Sequence, residues 1–341
     1  MMRDWTGCAL QALCPLPCPA LAMAQALAGR DNDAAGQNAT PSDPARFAPI
    51  ALSGNPIAGE SLAMLDDPQG QSRRNMDHIL DATHRAFARD GLMPEKIIYF
   101  WIQGEADRSA APGAYLKALT AHWDRIRARL DDLYPQSEKT IFLMQTAGSD
   151  QTHHRSDQYH PAADQLSFAA GRRDAVLVGP VYPSRLADLI HPDLHHSRIM
   201  GELAAWALRE IYAGRPWSIT SPVPRRDGDR ITLDFALRDD EALTAHDLDV
   251  YGGQGIDAFL GLEVEGGAIQ AVELDGHALH ISVTGPVTQV RYAMQRQSMR
   301  QVDGNAYPAR RGLIRTTLTR PAVQLPETTL YRWLPSFTLD L

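Results

Sequence analysis

Ile97-Ile98-Tyr99-Phe100-Trp101-Ile102-Gln103-Gly104-Glu105-Ala106-Asp107 joins an unbroken apolar run to an amide, a glycine and two carboxylates. The run is short and rich in β-branched and aromatic side chains, which predicts a buried strand. Open α/β sheets gather their chemistry in the crevice at the carboxyl ends of such strands. Gln103 to Asp107 therefore stand where a site is expected.

On the amino-terminal side, Met76, Ile79, Leu80 and Phe87 line one face of a predicted helix, and Gly91 is a natural cap for its end. Before that helix, Phe47 to Leu52 read as a short buried strand meeting the turn Ser53-Gly54-Asn55-Pro56, and residues 31 to 45 as a loop. On the other side, Leu116, Leu119, Trp123, Ile126, Leu130 and Leu133 recur at helical spacing until Pro135. A strand over Thr140 to Met144, a helix from about Ala162 to Arg172, a strand over Ala175 to Val178 and a helix over Ile199 to Ile211 follow. Strands alternating with helices imply parallel pairing with right-handed crossovers, and so a doubly wound, three-layer domain.

Beyond Ile211 the texture changes. Ile231 to Phe235, Phe259 to Val264, Ile269 to Leu274, Leu279 to Val283 and Val290 to Ala293 alternate with period two and are punctuated by Gly and Asp. Runs of this kind without helices between them predict an antiparallel β-sandwich. The boundary falls near Gly214-Arg215-Pro216, giving an N-terminal remnant or loop over 1–45, an α/β domain over 46–214 and a β-sandwich domain over 217–341. No internal repeat is present.

The chain has 341 residues, is 44% apolar and carries a net charge of -8, enough length for two cores and the wrong charge for a nucleic-acid partner. It has no uninterrupted apolar run of the roughly 18 residues that a membrane span needs. Cys8, Cys14 and Cys18 fit neither a disulfide framework nor a zinc knuckle. The segment from Cys8 to Ala26 has the composition of a secretory h-region ending near Ala22-Met23-Ala24, but Asp4, Pro15, Pro17 and Pro19 speak against it. The competing reading makes Ala20 to Arg30 a surface helix of the catalytic domain. Export or cytoplasmic residence and oligomeric state stay open.

Ester hydrolysis by a serine needs a nucleophile, an imidazole to take its proton, a carboxylate to orient that imidazole, and donors aimed at the developing oxyanion. His191-Pro192-Asp193-Leu194-His195-His196, ahead of the helix from Ile199, gathers three imidazoles and a carboxylate in one turn. His153, His154, His160, His191, His195 and His196 also raise zinc as a rival, but none shows the helical arrangement of a zincin, so no metal and no cofactor is expected.

The stretch Trp101 to Asp107 resembles the Trp-His-Gln-Gly-Glu-Ser-Asp block of the sialate O-acetylesterase and acetylxylan esterase branch of the SGNH (GDSL-like) hydrolases. Ile102 stands here for the family's His or Tyr, and Ala106 for its Ser. The resemblance implies a flavodoxin-like three-layer fold and an oxyanion donor in Gln103, with Glu105 and Asp107 supporting the loop. It also implies a base and its orienting acid in an Asp-x-x-His turn before the last helix. Asp188 with His191 and Asp193 with His196 both match; only His196 is followed five positions later by a glycine, Gly201, as in the family. Asp193 is therefore expected as orienter and His196 as base.

Gly59-Glu60-Ser61-Leu62 imitates the Gly-Asp-Ser-Leu signature, yet its place ahead of the Gln-Gly-Glu block matches the family's later Gly-Gly-Thr-Ser-Ile-like block. Gly59 then becomes a backbone oxyanion donor, and Ser61 a neighbour that serves as nucleophile only as a fallback. The family's Gly-Gln-Ser turn has its nearest match in Gly36-Gln37-Asn38, which carries no serine. Either an N-terminal block is missing, in which case the chain as written hydrolyses nothing quickly, or the chain is a divergent member using Ser61 or no nucleophile. Tyr292-Ala293 ahead of Arg311 to Arg315 is similar to the sandwich appended to some bacterial and phage-associated members. Two functions follow: an O-acetylesterase acting on acetylated carbohydrate or another small ester, and a non-catalytic glycan-binding or phage-tail or envelope structural protein with a relic hydrolase domain.

Overall fold

The computed structural model describes residues 19–34, 59–147, 159–188, 190–251, 259–294, 306–308 and 310–341. The sequence readings at Cys8 to Cys18, Gly36 to Asn38, Phe47 to Pro56, His153 and His154 lie outside them. The chain is a mixed α/β protein: helices and parallel strands run to Tyr212, and antiparallel strands occupy the remainder.

The first described helix, α1 (Pro19–Ala34), is followed by the short α2 (Leu62–Leu65) and by α3 (Gln71–Arg89). Gly91 adopts φ +67° just past α3, and Leu92 N–H returns to the Phe87 carbonyl, the left-handed cap expected of a glycine there. Next come β1 (Lys96–Trp101), α4 (Ala114–Leu133), β2 (Glu138–Gln145), α5 (His160–Ala170), β3 (Ala175–Pro180) and α6 (Leu194–Tyr212). The three strands form a parallel sheet in the order β1-β2-β3. The reversal of order that double winding requires is not among the described residues.

Strand β2 is the centre of the sheet, and Ile141 to Met144 are fully buried in it. β1 pairs only with β2 among the described residues, so Ile97 to Phe100 are half-buried and Trp101 alone is buried, less than the apolar run predicts. Helix α4 covers the sheet with Tyr115, Leu119, His122, Trp123, Ile126 and Leu130. Tyr99, on the same face of β1, hydrogen-bonds His122 Nε2 at 2.9 Å, and His122 Nδ1 meets Asp66 at the end of α2 at 2.8 Å.

Helix α6 begins five residues earlier than the apolar periodicity placed it, because Asp193 caps it: the side chain accepts from His196 N–H. Its partner is α1, which is no surface helix, since Ala22, Met23, Ala26 and Leu27 are buried. Gly201 permits the contact. A Cβ there would stand 2.4 Å from the Pro19 carbonyl oxygen and 2.6 Å from Met23 N, so a side chain at this position drives the helices apart.

The carboxy-terminal strands are β4 (Val223–Asp227), β5 (Arg230–Asp234), β6 (Leu243–Ala245), β7 (Leu262–Glu265), β8 (Ala268–Asp275) and β9 (Ala278–Thr284). They continue with β10 (Gln289–Tyr292), β11 (Ile314–Pro321), β12 (Thr329–Trp333) and β13 (Phe337–Asp340). They pair antiparallel as β4-β5-β9-β8, β13-β10-β7 and β12-β11-β6. In β5 and β9 the predicted alternation is plain: Ile231, Leu233, Leu279 and Ile281 face the core.

This strand-rich part sits against the carboxyl ends of the parallel strands. Gln145, the last residue of β2, exchanges two hydrogen bonds with the backbone of Ser336, at 2.9 and 2.7 Å. The Tyr182 hydroxyl, just past β3, donates to the Leu334 carbonyl at 2.7 Å. Charge closes the junction: Glu210 of α6 takes Arg215 and Arg238, while buried Arg332 binds Glu241 and the Trp217 carbonyl.

Candidate active site

At the end of β1 the Gln103 amide is fixed from both sides. The Tyr115 hydroxyl donates to its Oε1 at 2.8 Å, so Nε2 must point the other way, toward Asp107 Oδ2 at 2.5 Å and the Glu60 carbonyl at 3.2 Å. Gln165 Nε2 holds the Gln103 backbone carbonyl at 2.7 Å. Asp107 Oδ2 also accepts the Leu62 N–H at 2.8 Å, so one carboxylate ties the turn at 59–62 to the strand end.

Gly104 has φ +146°, and a Cβ on it would lie 2.7 Å from Thr146 Cγ2. Only glycine lets the chain pass this close. Thr146 Oγ1 donates to Glu105 Oε1 at 2.6 Å and contacts the Tyr159 hydroxyl at 2.7 Å. Burial pushes the Glu105 carboxyl above the usual range, and the Thr146 bond and nearby His191 counter only part of that push.

The turn before α2 starts at Gly59, with φ +77°. The Ser61 hydroxyl oxygen accepts from Met64 N–H at 3.4 Å and so caps α2. Among the described residues it meets no imidazole. Asp66, at the other end of α2, is gripped by His122 and Arg125, which anchors the turn to α4.

The segment before α6 contains two copies of one local geometry. Asp188 takes the N–H of His191 and its Nδ1, both at 2.7 Å. Asp193 takes the N–H of His196 at 2.8 Å and its Nδ1 at 2.9 Å. The spacing explains the repetition: a carboxylate reaches the N–H three residues on, and the imidazole there folds back onto the same carboxylate, through one oxygen at the helix N-cap Asp193 and through both in the turn at Asp188. The copies differ in burial. Side-chain exposure is 60% and 56% for His191 and Asp188, but 19% and 14% for His196 and Asp193.

Burial, helped by the charges of His195 and Arg185, lowers the His196 pKa against the pull of Asp193, so the imidazole stays a free base further into acid than an exposed one. Burial acts to raise Asp193, but the bonds from His196 and Arg185 outweigh it and hold the carboxyl below its ordinary range. Because Nδ1 faces Asp193, Nε2 is the nitrogen left to accept a proton. Arg185 Nε binds Asp193 Oδ2 at 2.5 Å and completes its shell.

These observations bond Glu60 and Leu62, on either side of Ser61, to Gln103 and Asp107, and pair Asp193 with His196. Sequence reading missed Tyr115, Thr146, Tyr159, Gln165 and Arg185. Thr146 alone carried a signal, since Gln145-Thr146 ends the β2 apolar run just as Gln103 ends that of β1. Among the described residues no three His, Cys, Asp or Glu side chains converge as a metal would require, and no helix is long and apolar enough to cross a membrane.

No family model matches the chain, and no curated protein matches it. Among solved structures, it is similar to a carbohydrate acetylesterase from Xanthomonas citri, at 17% identity and a TM-score of 0.44. The match covers 72% of this chain and 50% of that one, so the chain spans half the length of that structure.

Proposed function

We propose that the chain is an SGNH-type carboxylic ester hydrolase whose substrate is an acetylated carbohydrate or a similar small ester. His196 is its general base, Asp193 orients that base, and the Gln103 amide with the Gly59 N–H receives the oxyanion. Residues 46–214 form the three-layer hydrolase unit, and residues 217–341 an accessory sandwich. The observation that carries the reading is the Asp193–His196 pair: a carboxylate fixed by a helix cap sets the imidazole tautomer and leaves Nε2 as a partly desolvated base. Gln103 stands at the strand end with its amide oriented by Tyr115, and to serve an oxyanion its Nε2 must release Asp107 Oδ2 or the Glu60 carbonyl, which take its two protons here. Losing such a donor costs about 10²- to 10³-fold in rate.

Ser61 is the nucleophile this reading falls back on. It lies beside Gly59 in the same turn, and the long 3.4 Å cap it makes is a weak one to give up. Hydrolysis of p-nitrophenyl acetate by the chain and by His196→Ala tests the proposal; equal rates remove His196 from any mechanism. A fluorophosphonate adduct mapped by mass spectrometry identifies the serine.

A second reading, a glycan-binding or structural protein with a relic hydrolase unit, draws on the same hydroxyl, which is committed to a helix cap and meets no imidazole among the described residues. Glycan-array binding by a chain that resists fluorophosphonate favours that reading.

A further inference from the structure

Residues 306–308 and 310–311 of the strand-rich part lie against both halves of the candidate site. We propose that Arg310 in that segment is a positioning residue for the site, acting through Tyr159 on the Gly104–Glu105 turn; this rests on the esterase reading. Arg310 and Tyr159 are each only 1% exposed, and the guanidinium carbon lies 4.5 Å from the centre of the Tyr159 ring. A cation over an aromatic face is held most firmly when both are out of water.

The Tyr159 hydroxyl meets Thr146 Oγ1 at 2.7 Å and the Gly104 carbonyl at 3.2 Å. The Thr146 proton goes to Glu105, so the single Tyr159 O–H proton is shared between Thr146 Oγ1 and the Gly104 carbonyl. Rigid attachment matters here because Gly104 passes against Thr146 with no room for a side chain, and Gln103 precedes it directly. Toward the imidazole half, the Ala306 carbonyl accepts the Leu186 N–H at 2.7 Å, and Leu186 also bridges Pro192, the residue before Asp193. A shift of this segment therefore moves the amide half and the imidazole half together.

The test compares full-length wild type with Arg310→Met, Arg310→Lys and Tyr159→Phe. It measures kcat and KM on p-nitrophenyl acetate, and hydrogen exchange at the backbone amides of residues 103–107. Arg310→Met and Tyr159→Phe should each speed that exchange about tenfold and lower kcat about tenfold, with KM changed less than about twofold. Arg310→Lys, which keeps the cation, should recover most of both. Unchanged exchange and kcat in folded Arg310→Met and Tyr159→Phe overturn the proposal, and Tyr159→Phe decides alone if Arg310→Met does not fold. Faster exchange in a chain whose wild type hydrolyses no ester supports the role of Arg310 while defeating the esterase reading. Unchanged exchange in an active enzyme does the opposite.

Discussion

Asp193 binds His196 twice through one oxygen: Oδ1 accepts the backbone N–H at 2.8 Å and lies 2.9 Å from the imidazole Nδ1. The helix cap and the orientation of the base are thus one structural feature, and substitutions can separate the two.

Asp193→Asn keeps an N-cap acceptor but loses the charge that fixes the tautomer. Ester hydrolysis should fall by about 10³-fold or more, while the melting temperature falls only by the loss of the Arg185 ion pair. Asp193→Ala should lose the cap as well, at about 1 kcal/mol of stability. Kinetics and calorimetry on the pair check this, and full activity in Asp193→Asn would sink the role assigned to Asp193.

His196 has its folded pKa below the ordinary 6.5, chiefly through burial. Hydrolysis that depends on its free base should hold constant from neutral pH down and reach half its value below 6.5. For stability the sign is as follows: above 6.5 the residue is neutral in both states and costs nothing. Between 6.5 and the lower folded pKa the unfolded chain binds more protons, so stability is lost as pH falls. Denaturation of wild type and His196→Gln across that window should show wild type losing ground toward acid; parallel curves would refute it.

Glu105 is shifted the other way, raised mainly by burial. Its contribution is intact below the ordinary 4.5 and is lost as pH rises through the folded value. Glu105→Gln still accepts from Thr146 and escapes that loss. The variant's melting temperature relative to wild type should therefore climb between pH 4 and pH 8. A difference that stays flat with pH would show that Glu105 titrates normally.

Gly201→Ala would gain up to about 1 kcal/mol of intrinsic helix propensity at an open site. Here the added methyl meets α1 backbone at 2.4 and 2.6 Å, and two packed helices must separate. A net loss of about 1–3 kcal/mol is expected in urea denaturation. A variant as stable as wild type would show that α1 does not pack as described.

The elements whose side chains all answer to one requirement were legible in the sequence. The α4 stripe from Leu119 to Leu130, the β2 apolar run and the alternation in β5 and β9 each follow one period, and the structure has them where the periods put them. The strands β4, β6, β11, β12 and β13 were not read from the sequence. Val223-Pro224-Arg225-Arg226-Asp227 is polar and largely exposed, and it is a strand because β5 offers it a hydrogen-bonding edge.

The sequence by itself determined the local chemistry: an Asp-x-x-His turn that caps a helix, and a strand ending in Gln-Gly-Glu. Both depend on residues a few positions apart, whose geometry the backbone fixes. Only the tertiary structure buried one of the two Asp-x-x-His copies and left the other exposed, and only it brought Arg310 over the Tyr159 ring. Burial and charge are properties of what lies across space, set by segments far apart along the chain, and no local pattern records them.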